Sequence, residues 1–251
     1  MTGPAILDRR SPNADARSGG IDMLVVHYTG MRSAAAAIER LCDPEAKVSA
    51  HYVIEEDGAL HRLVREEERA YHAGVSEWGG RPALNDCSIG IEMVNPGHEW
   101  GYRDFPEPQM RALETLAVGI LRRWPIPPER VLGHSDIAPR RKDDPGERFD
   151  WPRLARAGLA VWPKAADDPD PGRLLDTEGV LALTRAMGTT GYDMADFGKA
   201  LTAFRRRFRP DALEGLPVMR DYLIAREMAA RHPAARAPEA PPGTPESLSE
   251  T

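Results

Sequence analysis

The stretch G-H-S-D-I-A-P-R-R-K-D-D-P-G, residues 133–146, decides how this chain is interpreted. It brings together one imidazole (His134), one lysine (Lys142) and two adjacent carboxylates between prolines and glycines. The residues before it, 130–132, are typical of the end of a short buried strand, and residues 149–152 begin a helix. A rigid loop at the carboxyl end of a strand is where an α/β enzyme can hold a metal. A surface loop in which Asp and Pro only shape turns is the alternative, and this segment alone does not separate the two.

Length and composition exclude several classes of protein. A chain of 251 residues suffices for one large domain or two modest ones. The net charge of −6 argues against a nucleic-acid partner, which favours a basic surface. The two cysteines, Cys42 and Cys87, lack the spacing of a disulfide framework or a four-sulfur zinc site. No apolar run approaches membrane-spanning length, so no membrane insertion is expected.

The amino terminus predicts the compartment. Residues 1–10 contain no apolar core of the length that an export signal needs. We therefore expect a cytoplasmic protein. A periplasmic location is the alternative if the sequence is a processed form.

Two apolar runs are predicted to form strands that carry candidate site residues, and the first of them is typical of a buried central strand. Residues 21–29 are β-branched and apolar, and His27 lies near their carboxyl end, where open α/β sheets place their sites. A lone histidine there is more often a hydrogen-bonded core residue, unless a second ligand lies nearby. In residues 88–95, successive side chains are expected to point to opposite faces of a strand. One face is formed by Ile89, Ile91 and Met93, and the other by Ser88, Gly90 and Glu92. Burial of Glu92 would be costly unless it is paired or near a cation, and a solvent-facing glutamate on an edge strand is the alternative.

The remaining patterns predict an α/β protein with a mixed central sheet flanked by helices, followed by a small three-helix domain. Residues 49–54 and 59–64 predict a hairpin around Asp57-Gly58, and apolar spacing predicts a helix over Pro106–Trp124. Three further helical patterns cover Thr177–Met187, Met194–Phe208 and Leu216–Arg231. The expected division is a leader (1–20), a catalytic domain (21–162), a linker (163–176), a helical domain (177–231) and a disordered tail (232–251).

Six short motifs occur in an order that resembles a known family. They are V-V-H-Y-T (25–29), V-S-A-H-Y-V-I (48–54), Y-H-A-G (71–74), N-D-C-S-I-G-I-E (85–92), G-H-S-D-I-A-P (133–139) and R-K-D-D-P-G (141–146). Residues 21–162 thereby resemble the zinc-dependent N-acetylmuramoyl-L-alanine amidases, and the similarity is closest to the two-domain bacterial members. The segment F-R-R-R-F-R-P (204–210) resembles the small helical peptidoglycan-binding module of those members.

This resemblance implies a site and a reaction. His27, His134 and Asp144 match the family's zinc ligands, Glu92 its catalytic glutamate and Lys142 its lysine beside the metal. Zinc would acidify water and polarise the scissile carbonyl, while Glu92 would move the proton and Lys142 would stabilise the developing oxyanion. The bond cleaved would be the amide between N-acetylmuramic, or 1,6-anhydromuramic, acid and L-alanine of the stem peptide.

The resemblance also implies substrate contacts. The expected partners are peptidoglycan or its anhydromuropeptide fragments. Expected substrate-binding residues are Tyr28, His51, His72 and Trp78, with a structural hydrogen bond as the alternative role of His51. Asp136 and Asp143 are expected to act beside the ligands. Two other functions remain open at this stage: a muropeptide-binding module without catalysis, and a zinc peptidase of other specificity.

Overall fold

A computed structural model of the protein describes residues 6–167 and 172–231. The tail predicted at 232–251 lies outside the described residues. The strands within these ranges are β1 (Ile6–Asp8), β2 (Ala14–Ala16), β3 (Met23–Tyr28), β4 (Tyr52–Ile54), β5 (Leu60–Arg62), β6 (Glu68–Ala70), β7 (Glu77–Trp78), β8 (Arg81–Pro82), β9 (Ser88–Met93) and β10 (Val131–Gly133). The α-helices are α1 (Ala34–Cys42), α2 (Gly97–Trp100), α3 (Glu107–Arg123), α4 (His134–Ile137), α5 (Trp151–Arg156), α6 (Thr177–Thr190), α7 (Phe197–Phe208) and α8 (Met219–Ala229).

The centre of the protein is a six-stranded sheet in the order β1-β5-β4-β9-β3-β10. The predicted hairpin is confirmed as the antiparallel pair β4–β5, and the other four pairs are parallel. The predicted mixed sheet is thus confirmed. Two adjacent interior strands, β9 and β3, carry Glu92 and His27 as direct partners in register.

One face of the sheet is covered by α3. The helix lies within the predicted range, beginning after Pro106 and ending before Trp124. Its apolar stripe, which includes Leu113 and Ile120, packs in one cluster with alternate residues of β3 and β9. The alternation predicted for residues 88–95 is confirmed, because Ile89, Ile91 and Met93 all lie in this cluster.

The three carboxyl-terminal helices cover the opposite face. Met23 and Val25 of β3 share a cluster with Leu183 of α6, Phe204 of α7 and Ile224 of α8. The side chains of Asp176 and Asp196 cap α6 and α7 by accepting hydrogen bonds from backbone N–H groups. The helices therefore share a core with the sheet, because β3 has a second apolar face that needs cover. Their treatment as a separate domain stays a prediction.

The segment predicted as a surface leader is part of the sheet system instead. β1 pairs with β5 at the edge of the central sheet, and β2 pairs with β6 in a two-stranded ribbon. Arg17 explains this docking, because its guanidinium donates to three backbone carbonyls at 2.8–3.0 Å, those of Glu66, Asn85 and Ser88. Such contacts join residues far apart in sequence, so local composition does not reveal them.

The predicted linker over 163–176 also contains ordered structure. Lys164–Asp167 forms a 3₁₀ helix, residues 168–171 are not described, and the Leu175 N–H donates to the Pro217 carbonyl at 3.0 Å. Within the described ranges, no helix is both long and apolar enough to cross a membrane. The cytoplasmic location stays a prediction.

Candidate metal centre and active site

The site lies where three neighbouring parallel strands end. His27 is the fifth residue of β3, Glu92 is its partner on β9, and His134 follows β10 directly as the first residue of α4. Parallel pairing brings the carboxyl ends of these strands to the same edge of the sheet, which is where open α/β sheets bind ligands. Asp144 reaches the same point from the loop that follows α4.

The three predicted metal ligands converge on one point. The Nδ1 atoms of His27 and His134 lie 2.9 Å apart, and Asp144 Oδ2 lies 3.0 Å from each of them. All three residues are buried. In the part of the chain that the structure describes, they form one group whose ligand atoms can reach a common ion.

A chain of hydrogen bonds fixes the tautomer of His27. The Ser88 hydroxyl donates to the Leu84 carbonyl at 2.6 Å, so its oxygen is left to accept from His72 Nε2 at 3.1 Å. With its proton on Nε2, His72 offers Nδ1 as the acceptor for His27 Nε2, 3.0 Å away. We therefore assign an unprotonated Nδ1 to His27, with its lone pair directed at Asp144.

The second histidine is held in the same tautomer by a backbone group. His134 Nε2 donates to the Ala73 carbonyl at 3.1 Å, which leaves Nδ1 without a proton. Two nitrogen lone pairs and one carboxylate oxygen thus meet within 3.0 Å without a hydrogen between them. Three acceptors so close together repel one another unless a cation lies between them.

The ionisation states agree with this interpretation. Burial and the neighbouring His134 lower the pKa of His27 to about 4, so its ring is neutral near pH 7. Two imidazole nitrogens and one carboxylate oxygen are a donor set that suits zinc and leaves room for further ligands. The residues present therefore fit a zinc ion.

Glu92 carries a buried polar atom that lacks a hydrogen-bond partner. Its Oε2 is buried and accepts no hydrogen bond from any of the described residues. Burial, followed by the negative charge of Asp144, raises the pKa of Glu92 well above its ordinary value, while Lys142 opposes the shift. A carboxyl group with a raised pKa and a free oxygen suits a group that accepts and releases a proton.

A cavity of about 410 Å³ opens over these groups. Its wall includes the three converging residues together with Glu92 and Lys142. Within the described ranges, no carboxylate forms an ion pair with Lys142. The predicted catalytic groups therefore face the same cavity as the predicted ligands.

Two of the four predicted substrate-binding residues border this cavity. Tyr28 lies on its rim, where the phenol oxygen is 3.0 Å from His98 Nδ1, and burial raises its pKa to about 12. His72 also borders the cavity, but it is buried and both of its ring nitrogens are engaged by His27 and Ser88. His72 therefore supports His27 rather than forming an open groove wall.

The other two lie away from the cavity, which corrects the expectation from sequence. Trp78 is buried against Tyr192, with ring centroids 5.0 Å apart, and it packs over Gly191, where a Cβ would lie only 2.4 Å from the indole. His51 is fully buried, and its Nδ1 accepts from the Gly90 N–H at 2.9 Å. The structural alternative for His51 is thus the one observed.

Sequence reasoning missed one residue that connects the loops around the site. Arg141 donates from Nη2 to the Ala73 carbonyl and from Nε to the Val75 carbonyl, the latter at 2.7 Å. It therefore ties the metal loop, which we define as residues 133–146, to the loop after His72. The run Arg140-Arg141-Lys142 is a visible signal, but the partners of Arg141 are backbone atoms 68 and 66 residues away.

Comparison with known proteins gives a consistent assignment. A family described as N-acetylmuramoyl-L-alanine amidase matches residues 17–147. N-acetylmuramoyl-L-alanine amidase AmiD of Escherichia coli K12 is 36% identical over 233 residues, covering 83% of this chain and 82% of its own.

Two solved structures are similar over most of the chain. The E. coli AmiD complex with the substrate anhydro-N-acetylmuramic acid-L-Ala-D-gamma-Glu-L-Lys has a TM-score of 0.74 at 33% identity, covering 85% of this chain and 91% of that one. AmpDH3 of Pseudomonas aeruginosa has a TM-score of 0.73 at 34% identity, covering 86% of this chain and 94% of that one. The sequence match, the shared architecture and the geometry at the strand ends lead to one conclusion: the chain belongs to the N-acetylmuramoyl-L-alanine amidase family.

Proposed function

We propose that this protein is a zinc-dependent amidase that cleaves the bond between N-acetylmuramic, or 1,6-anhydromuramic, acid and the L-alanine of the stem peptide. The observation that carries this proposal is the convergence of His27, His134 and Asp144 beside an unpartnered oxygen of Glu92. The substrate class is supported by the similarity to AmiD, whose solved complex contains an anhydromuramic acid peptide. His27 Nδ1, His134 Nδ1 and Asp144 Oδ2 would hold the ion.

A zinc ion at this position would supply a Lewis acid that activates water and polarises the lactyl carbonyl. Glu92 acts beside it as the proton carrier. Oε2 takes a proton from the attacking water, whose oxygen forms a bond to the lactyl carbon, and delivers that proton to the alanine nitrogen as the carbon–nitrogen bond breaks. The products are a free muramic carboxyl group and a stem peptide with a free amino terminus.

Lys142 contributes a fixed positive charge on the same cavity wall. Its ammonium group stabilises the negative charge that develops on the carbonyl oxygen in the transition state. Its position two residues before Asp144 places the charge in the same loop as a ligand.

The test is cleavage of a defined anhydromuropeptide by the zinc-loaded protein, followed by mass spectrometry of the products. Release of the intact stem peptide with a free L-alanine amine supports the proposal. Cleavage within the peptide instead would indicate a zinc peptidase of other specificity. Saturable binding without cleavage would indicate a recognition module and overturn the catalytic assignment.

We further propose that soluble fragments, rather than the intact wall, are the preferred substrate. The arginines of the segment at 204–210, which resembles a wall-binding module, are each less than 10% exposed and so present little cationic surface to glycan. A parallel assay compares kcat/KM for the soluble anhydromuropeptide with the rate on purified sacculi. Faster release from sacculi would contradict this preference.

A further inference from the structure

The segment F-R-R-R-F-R-P at 204–210 has contacts that the proposed reaction does not explain. Three of its arginines belong to α7, yet their side chains point inward, and Arg205 and Arg207 are only 2% and 4% exposed. Burial of a guanidinium is costly unless it is paired and hydrogen-bonded. The identity of each partner therefore indicates what each arginine does.

Arg207 is bound to the metal loop. Its Nη1 donates to Asp136 Oδ2 at 2.8 Å, its Nη2 donates to the Val131 carbonyl at 3.1 Å, and its guanidinium stacks on Trp151 at 4.1 Å from the ring centroid. Asp136 lies two residues after His134 and is 1% exposed. Arg207 thus connects α7 to the strand before His134 and to the turn after it.

Tyr192, which follows α6, completes the environment of Asp136. Its hydroxyl donates to Asp136 Oδ1 at 2.6 Å, while the Gly133 N–H donates to Oδ2 at 2.8 Å. Both carboxylate oxygens are therefore satisfied, and two of the three donors come from the carboxyl-terminal helical region. This carboxylate fixes the backbone at the point where His134 begins α4.

Two ion pairs hold the rest of the same loop. Arg206 Nη2 lies 2.9 Å from Asp143 Oδ1, next to the ligand Asp144, and Arg140 Nη2 lies 2.9 Å from Asp193 Oδ2. Inside the loop, the Ser135 N–H donates to the Asp144 carbonyl at 2.8 Å, which keeps the two loop ligands close together. The helical region thus contacts the metal loop at three residues between its two ligands: Asp136, Arg140 and Asp143.

We infer that the carboxyl-terminal helices position the metal loop, with Arg207 and Tyr192 acting through Asp136 to set the affinity for zinc. This inference rests on the proposed metal site and adds positioning residues to it. Groups that orient ligands typically change metal affinity by about 10- to 100-fold when they are removed. The inference assigns the helical region a role inside the protein, whether or not it also contacts glycan.

The same helix provides a matched control. Arg205 is equally buried and forms an equally close pair, 2.7 Å from Asp221 Oδ2, but its other partners are the backbone carbonyls of residues 214–216. Its contacts therefore stay within the helical region. Arg205→Met removes a buried charge from α7 as Arg207→Met does, without touching the metal loop.

The experiment compares zinc affinity, by competition with a chromophoric chelator, in the wild type, Arg207→Met, Arg205→Met and Tyr192→Phe. Measurements are made where circular dichroism shows each variant to be folded. We expect Arg207→Met to bind zinc about tenfold more weakly or worse, and Tyr192→Phe about threefold more weakly. Arg205→Met should stay within about twofold of the wild type, because its site is independent of the loop. Tyr192→Phe retains the aromatic ring and serves as the folded variant if Arg207→Met does not fold.

A second readout needs no metal. Hydrogen exchange of the Ser135 amide in the metal-free protein should be about tenfold faster in Arg207→Met and unchanged in Arg205→Met. Failure of the wild type to bind zinc would overturn the proposed function and the effect on zinc affinity, and the exchange comparison would still decide whether the helices position the metal loop. Equal effects of Arg207→Met and Arg205→Met, or no effect of Arg207→Met and Tyr192→Phe, would overturn it.

Discussion

Gly90→Ala should weaken metal binding, although residue 90 bears no ligand. An added Cβ at this position would lie 2.4 Å from Cγ of His72 and 2.6 Å from its Nδ1, whereas ordinary contact begins near 3.4 Å. The ring must therefore shift by about 1 Å, since the backbone of a central strand cannot yield. A shift of that size is enough to break the 3.0 Å hydrogen bond between His72 Nδ1 and His27 Nε2.

The expected magnitude has two parts. Overpacking in a close-packed interior costs about 1–3 kcal/mol of unfolding free energy. Loss of the hydrogen bond that orients His27 should weaken zinc binding by about 10- to 100-fold. The stability change is measured by urea denaturation of the metal-free protein, and the affinity by chelator competition.

Gly198→Ala in α7 is the matched control. Its added Cβ would have its nearest neighbour, Asp196 Oδ1, at an ordinary distance of 3.6 Å. Alanine in a helix should stabilise the protein by about 0.4–1 kcal/mol without changing zinc affinity. Full zinc affinity in folded Gly90→Ala would refute the argument that His72 orients His27.

Three further predictions follow from the described contacts. Glu92→Gln should lower kcat for stem-peptide release by about 10²- to 10⁴-fold, while its zinc affinity stays near that of the wild type. A kcat within about tenfold of the wild-type value would exclude Glu92 as the proton carrier. Removal of zinc by a chelator should abolish turnover and lower the melting temperature, because an ion that binds only the folded state stabilises that state. The control is the return of activity when zinc is added back. Undiminished turnover after zinc removal would contradict a metal mechanism. Glu66 is buried, which by itself would raise its pKa, but its contacts with Arg123, Trp124 and Tyr52 lower the pKa by more. The Glu66 carboxylate therefore stabilises the fold at pH values above the unfolded-state pKa. This stabilisation is lost as the pH falls through the folded-state pKa. Glu66→Gln should therefore cost about 1–3 kcal/mol at pH 7 and much less at pH 3, and a pH-independent difference in urea denaturation would contradict this assignment.

The features that depend on local pattern were predictable from the sequence. The alternation of residues 88–93 gave the two faces of β9, and the apolar spacing after Pro106 gave α3. The side chain of Ser33 accepts from the Ala36 N–H and caps α1, a role in which serine is common. His27 and Glu92 were identified because polar residues in apolar strands stand out and because their motifs match a family.

Features that depend on distant partners were not predictable. Trp78 was expected on a groove wall, but it is buried because Gly191, from the far end of α6, leaves space for its ring. His72 was expected in the same groove, and its position between His27 and Ser88 depends on the register of three separate segments. The residues next to Trp78 and His72 in the sequence do not indicate these contacts.

The arginines at 205–207 show the same limit. A run of arginines in an amphipathic helix is typical of a cationic surface, yet these face carboxylates from two other parts of the fold, the metal loop and α8. A charge that is neutralised inside a protein has the same sequence signature as one that faces solvent. The difference is decided by Asp136, Asp143 and Asp221, which only the folded chain brings near them.

The pairing of His27 with Glu92 on adjacent parallel strands has a consequence for how the active site can diverge. The two residues occupy one rung of a ladder whose strands lie about 4.8 Å apart, so no loop movement can change the distance between their backbones. Insertions and deletions in the surrounding loops can therefore change what the cavity admits while the relation between His27 and Glu92 is kept. A fold with this property can accept new peptidoglycan fragments as substrates through changes in single loops.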